Sequence, residues 1–269
     1  MPKSFLVAPW IEEMGIRSWY EDPELVEMLR KSGLTPATML QGVLSALDGG
    51  KPAEGIELGF MLSINVYDLF TRKETWTFDR SKFQFFLDFM RDVGRPVVIN
   101  LRANHFVGES ELARELAADE SSLARASDGS FIREIYFNNA TFAPVFSQDE
   151  HILLNRFRFG GFREATSMLG TFDREVPGLL RAVTLAGELH HYVTNLADPT
   201  SAGRFEGMQT TDYSDASIRE FGAWLRARYE TVESLNERFG TPFKCWAEVV
   251  PPRVDLTKQA DAALWMHMD

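Results

Sequence analysis

One carboxyl stands out in the chain. Glu188 follows an apolar run, Ala182-Val183-Thr184-Leu185-Ala186, and opens the polar string Glu188-Leu189-His190-His191-Tyr192. A carboxyl leaving a buried strand among apolar walls has its pKa raised, which suits a general acid working near neutral pH. Other apolar runs end in polar groups as well: Trp10 closes the first, Asn65-Val66-Tyr67-Asp68 the second and Arg102-Ala103-Asn104-His105 the third. Together these ends offer carboxylate, guanidinium, amide, imidazole and aromatic groups. That mixture fits a neutral polyhydroxylated ligand, whose hydroxyls need polar partners and whose C–H face needs a ring. A phosphate ligand would call for a Gly-rich loop or clustered cations, and the sequence has neither.

The blander alternatives are concrete. Glu188 can cap a helix or pair with a cation. Arg102 can clamp substrate or hold Glu188, and Asn65 and Asp68 can serve structure as readily as contact. His105, His190 and His191 with Glu188 invite a metal, but adjacent histidines on an extended chain point to opposite sides, and no ligand spacing supports zinc or iron. We therefore expect neither metal nor cofactor; a metal-dependent barrel lyase or isomerase is the third-ranked reading. The stripe Phe83, Phe85, Phe86 and Phe89 reads as helix packing. Cys245, beside Trp246, reads as a packed small hydrophobe, and no Gly-x-Ser-x-Gly elbow is present.

The elements that must hold these groups alternate. Strands are expected at Phe5–Trp10, Leu58–Val66, Pro96–Leu101 and Ala182–Ala186. Helices are expected at Pro23–Ser32, Arg80–Val93, Glu109–Ala118, Asp149–Phe172, Asp215–Tyr229, Val232–Phe239 and Leu256–Met268. Their caps are Asp22, Asp79 and Ser214, with Gly33, Gly94 and Gly240 as stops. Apolar strands alternating with helices argue for an α/β fold of the (β/α)8 TIM-barrel type, here a partial barrel of about four βα units in a single domain, 1–269. No convincing parallel strand follows Val193; Glu248-Val249-Val250 comes nearest. The 269 residues would suffice for a complete barrel of roughly 250, so the shortage of strands suggests the N-terminal portion of a longer chain. A half-barrel with apolar edges should also associate with a second copy.

Composition narrows the partners. Lys and Arg number 28 against 39 Asp and Glu, a net charge of −11, which disfavours nucleic acid and anionic membranes. No run of about 18 apolar residues is present. One cysteine excludes an internal disulfide. The apolar start, Phe5 to Trp10, is short for a signal peptide, and a cytoplasmic location is expected.

A family resemblance rests on the last third. Phe221-x-x-Trp224-Leu225-x-x-x-Tyr229, then Leu235-Asn236-x-x-Phe239-Gly240-Thr241, then Trp246-x-x-Val249-x-Pro251-Pro252 resemble the run that follows the fourth barrel strand in family 42 β-galactosidases. Ala186-Gly187-Glu188-Leu189 is similar to the acid segment of β-amylases, and Val98 to His105 is similar to strand 3 of these glycosidases. The resemblance implies a retaining glycosidase with Glu188 as acid/base and sugar contacts from Trp10, Asn65, Asp68, Arg102, Asn104, His105, His190, His191 and Tyr192. In the retaining (β/α)8 glycosidases Asn usually precedes the acid; here Gly187 does. The resemblance also implies a nucleophilic Glu on strand 7, about 5–5.5 Å from the acid, and no such strand is legible. A noncatalytic carbohydrate-binding relic is the alternative.

Overall fold

The computed structural model describes residues 4–12, 22–49, 54–103, 110–136, 139–186, 192–193 and 209–252. In chain order they form β1 Phe5–Val7, β2 Trp10–Glu12, α1 Pro23–Lys31, α2 Pro36–Leu47, β3 Ile56–Leu58, β4 Phe60–Asn65, β5 Phe70–Arg72, β6 Trp76–Phe78, α3 Arg80–Val93, β7 Val97–Arg102, α4 Glu111–Ala118, β8 Arg133–Tyr136, β9 Asn139–Phe142, α5 Leu153–Glu175, β10 Leu180–Ala186, β11 Tyr192–Val193, β12 Gln209–Thr210, α6 Asp215–Tyr229 and α7 Val232–Phe239. Backbone contacts divide the chain into two units, Met1–Ala103 with Phe157–Glu188, and Asn104–Arg156 with Leu189–Asp269.

The first unit is built on a parallel sheet in the order β10-β7-β4-β2. The strands lie side by side in their order along the chain, without the reversal that marks a doubly wound sheet. This is the order of a barrel wall. β1 pairs with β3 and β2 with β4 at one constant offset, so both pairs belong to a single parallel ladder interrupted around Pro9 and Gly59. The expected first strand, Phe5–Trp10, is thus broken at Ala8-Pro9 and resumes as far as Glu12. Proline has no N–H to give the ladder.

Alternation assigns the two faces. Phe60, Leu62 and Ile64 of β4, with Val97, Ile99 and Leu101 of β7, are wholly buried. They share the face on which Phe60 meets Phe89 of α3 edge to face, at 6.2 Å. Gly161 lets α5 approach: a Cβ there would lie 2.2 Å from Val66 Cγ1. The two glycines that weaken α5 as a sequence signal therefore include one required by packing. Gly59 is constrained in the same way, since a Cβ would come within 2.0 Å of the Pro96 carbonyl oxygen. α2, which lacks a marked apolar stripe, is started by Thr35, whose hydroxyl accepts from Thr38 N. Its Gln41 side chain donates to the carbonyls of Asp92 and Val93, at 2.9 and 3.0 Å, and so finishes α3.

The second unit packs α6 and α7 around Leu225, Val232, Leu235 and Val249, with Phe221, Tyr229, Phe243 and Trp246 against them. A hairpin, β8–β9, lies in the stretch between α4 and α5. Cys245 is exposed, not packed; the burial goes to its neighbour Trp246. The expected helix Leu256–Met268 lies outside the described residues.

Candidate functional site

The parallel register builds the site from its backbone. Asn65 is opposite Arg102, and Arg102 is opposite Ala186, so the C-terminal ends of three adjacent strands form one row. Asn65 is 7% exposed, and its side-chain oxygen accepts from Tyr67 N at 3.1 Å. That bond caps a 3-10 turn, Val66–Leu69. Tyr67 is fully buried and donates its hydroxyl to the Ala103 carbonyl at 2.9 Å, tying the end of β4 to the end of β7. Burial pushes the Tyr67 phenol up, and the Arg158 guanidinium works against that rise. The turn also presents Asp68, half-buried, whose carbonyl accepts from Lys82 Nζ at 3.0 Å.

Two residues below this row runs a second polar row. Ser63, Asn100 and Thr184 are register partners. Thr184 Oγ1 donates to Asn100 Oδ1 at 2.9 Å, and Asn100 Nδ2 donates to Ser63 Oγ at 3.3 Å. Glu12 occupies the next register position on β2. Ser63 and Asn100 are buried, and their mutual bonds answer the cost of putting polar groups in a sheet interior. Sequence reading passed over this row. Its signal was a polar residue two places before the last residue of three successive strands.

Of the expected site residues, the structure brings Asn65 and Arg102 into one row, with Asp68 on the adjoining turn. It does not bring Trp10 to that row. β2 continues to Glu12, and Trp10 is opposite Met61, four residues before Asn65, roughly 13 Å along a strand. Its ring is 53% exposed. Tyr192 is described by its backbone alone, paired with Thr210 in the second unit. Asn104, His105, Glu188, His190 and His191 lie outside the described residues. Glu188 follows Ala186, the β10 member of the row, by two positions.

Among the described residues no cluster of three or more His, Cys, Asp or Glu is arranged to hold a metal, and no helix is long and apolar enough to cross a membrane. A cleft of about 400 Å³ lies on the helical side of the first unit, lined by residues of α3 and α5 such as Arg80, Gln84, Arg91 and Phe172. No strand-end residue lines it.

Residues 204–266 match the family model for glycoside hydrolase family 42, β-galactosidase. Over 49 residues the chain is 43% identical to the β-galactosidase BbgII of Bifidobacterium bifidum, a match covering 16% of this chain and 7% of that relative. The chain is related to the family 42 β-galactosidases. Two solved β-galactosidase structures, the first of family 42, extend the likeness at the level of fold. Gan42B, a β-galactosidase from G. stearothermophilus, superposes with a TM-score of 0.53 at 11% identity, over 94% of this chain and 29% of its own. The cold-adapted β-galactosidase from Rahnella sp. R3 does so with a TM-score of 0.50 at 12% identity, over the same shares. The chain thus spans less than a third of the length of each of these relatives. The sequential parallel order belongs with that family's barrel, and four of its strands are described here.

Within the described part of the family 42 match, residues 209–252, two polar side chains tie the second unit together. Asn236 Oδ1 accepts from Thr241 Oγ1 at 2.8 Å and from Phe243 N at 3.1 Å, while its Nδ2 donates to the Phe243 carbonyl at 2.7 Å. Asp212 accepts five hydrogen bonds within the second unit.

Proposed function

We propose that the chain carries the acid/base side of a glycosidase site acting on a β-linked galactoside. Glu188 is the residue assigned to protonate the leaving glycosidic oxygen. Arg102, Asn65 and Asp68 line the strand ends, and Asn104, His105, His190, His191 and Tyr192 are the further sugar contacts assigned by sequence. Trp10, well below the row, is assigned no sugar contact. One observation carries the reading. Asn65, Arg102 and Ala186 share a row at the C-terminal ends of parallel strands, where barrel enzymes place their chemistry, and Glu188 stands two residues past that row in the sequence. The relatedness to family 42 supports the substrate class.

A general acid is helped where apolar surroundings raise its pKa. It must stay protonated until the leaving group needs the proton, and general acid catalysis of this kind contributes roughly 10²–10⁴-fold. The second carboxyl of a retaining pair has no assigned residue. Gly187, standing where the relatives have Asn, favours a second reading, a sugar-binding domain without turnover. Both are tested with an aryl β-galactoside. Wild-type turnover that falls by roughly 10²–10⁴ in Glu188→Gln, with sugar binding retained, supports the enzyme. Equal and negligible turnover in both proteins, with sugar still bound, overturns it and leaves the binding reading.

A further inference from the structure

Asp68 sits on a turn that β4, β7, α3 and α5 clasp from different sides. Its neighbours in that turn, Val66, Tyr67 and Leu69, are wholly buried; Asp68 is half-buried. At the start of the turn the Asn65 side chain accepts from Tyr67 N. In the middle the Tyr67 hydroxyl donates to the Ala103 carbonyl, just past the end of β7. Gly161 of α5 lies against Val66, with no room for a Cβ between them. The start of α3 closes the far end. Asp79 N donates to the Leu69 carbonyl at 2.7 Å. Lys82 Nζ donates to the carbonyls of Asp68 and Phe70, each at 3.0 Å.

None of these bonds uses the Asp68 carboxylate. Among the described residues it takes no hydrogen bond and no ion pair, although the Lys82 ammonium sits on the carbonyl of the same residue. A structural acid is spent on a cap or on joining segments, as Asp79 and Asp212 are. Lysine gives up a large side-chain entropy when it is fixed. What that fixing yields here is a defined position for one carboxylate beside the strand-end row.

We infer, resting on the glycosidase reading of the strand ends, that Lys82 is a positioning residue of the sugar site: through the turn it fixes the Asp68 carboxylate, which accepts from two adjacent hydroxyls of the sugar. An ionised carboxylate is acceptor-only and has two oxygens, one for each hydroxyl. Such charge-assisted bonds are roughly twice as strong as neutral ones. Arg102, in the row that Asn65 joins, is donor-only. Acceptor and donor together orient a ligand whose hydroxyls can play either part. A contact held in place before the sugar arrives also loses less freedom on binding.

The test is a titration of the whole chain with methyl β-galactoside, followed by NMR. Asp68→Asn keeps the shape and removes the charge; binding is expected to weaken roughly 10–100-fold. Lys82→Met keeps the stem and removes the ammonium; binding is expected to weaken on the order of tenfold. That second loss should vanish in the Asp68→Asn background, because Lys82 acts through the carboxylate. A merely structural lysine would cost the same in both backgrounds. Lys82→Gln keeps one donor for the carbonyls and takes the place of Lys82→Met if that protein does not fold. Wild-type binding that Asp68→Asn leaves intact overturns the inference while the glycosidase reading stands. So does a Lys82 effect that persists in the Asp68→Asn background, or one that is absent with Asp68 in place. A wild type that binds no galactoside overturns both.

Discussion

Removing the Asp212 carboxylate should loosen the second unit by an amount that can be worked out bond by bond. Its Oδ1 accepts from Arg125 N at 3.1 Å and Ser214 N at 2.8 Å. Its Oδ2 accepts from Phe146 N at 3.1 Å, Ser214 Oγ at 2.9 Å and Ser217 Oγ at 2.7 Å. One side chain thus joins three stretches of chain, around residues 125 and 146 and at the start of α6. In Asp212→Ala the two hydroxyls can rotate toward water, but three backbone N–H groups lose their acceptor. An orphaned buried donor costs about 1–3 kcal/mol. Because Asp212 is only partly buried, water reaches the gap, and the low end applies: about 3 kcal/mol for the three amides. That is roughly a hundredfold shift in the opening equilibrium. Asp212→Asn keeps one acceptor oxygen and should lose about half as much. The assay is urea unfolding, with hydrogen exchange read at the amides of residues 125 and 146. An Asp212→Ala protein within 0.5 kcal/mol of wild type, the range of an ordinary surface change, would refute the reasoning.

Gly161→Ala should lower the melting temperature although it adds helix propensity: the gain is about 1 kcal/mol, the clash with Val66 costs about 1–3 kcal/mol, and pairing it with Val66→Ala should restore stability. Tyr67→Phe removes the bond to the Ala103 carbonyl and should cost about 1–2 kcal/mol by urea unfolding. Asp79 caps α3, and the Ser81 hydroxyl bonded to it holds its carboxyl below the ordinary value. Its folded value is the lower one, so its contribution is whole above the unfolded value of about 3.9 and is lost as pH falls through the folded value. Asp79→Ala should lose about 0.5–2 kcal/mol at neutral pH, and the difference from wild type should shrink in acid melts.

What the sequence made legible was local. α3, α6 and α7 start and stop where expected, because Asp79 and Ser214 cap the first two, and Gly94 and Gly240 sit at φ near 64° and 66° after α3 and α7. α2 escaped notice because its capping residue at the third position is Thr38, where a Glu or Gln would have flagged it. The β8–β9 hairpin is short and lacks a long apolar run. The break in the first strand and the shift of Trp10 away from the strand ends depend on pairing with β3 and β4, which one strand's own residues do not encode. The same holds for the Ser63–Asn100–Thr184 row. Each member is an ordinary polar residue until the register sets the three side by side.

That register gives the strand ends a parity. Along β4 and β7, even steps lead from Ser63 to Asn65 and from Asn100 to Arg102, and odd steps lead to the apolar face under the helices. Length can change freely in the loops and helices between strands without altering which groups meet. A single residue inserted within a strand ahead of Ser63 or Asn100 would exchange the chemical identity of its two faces. It would turn an amide toward the helices and a leucine or isoleucine toward the polar side. The polar row therefore penalises such a slip before any substrate is involved.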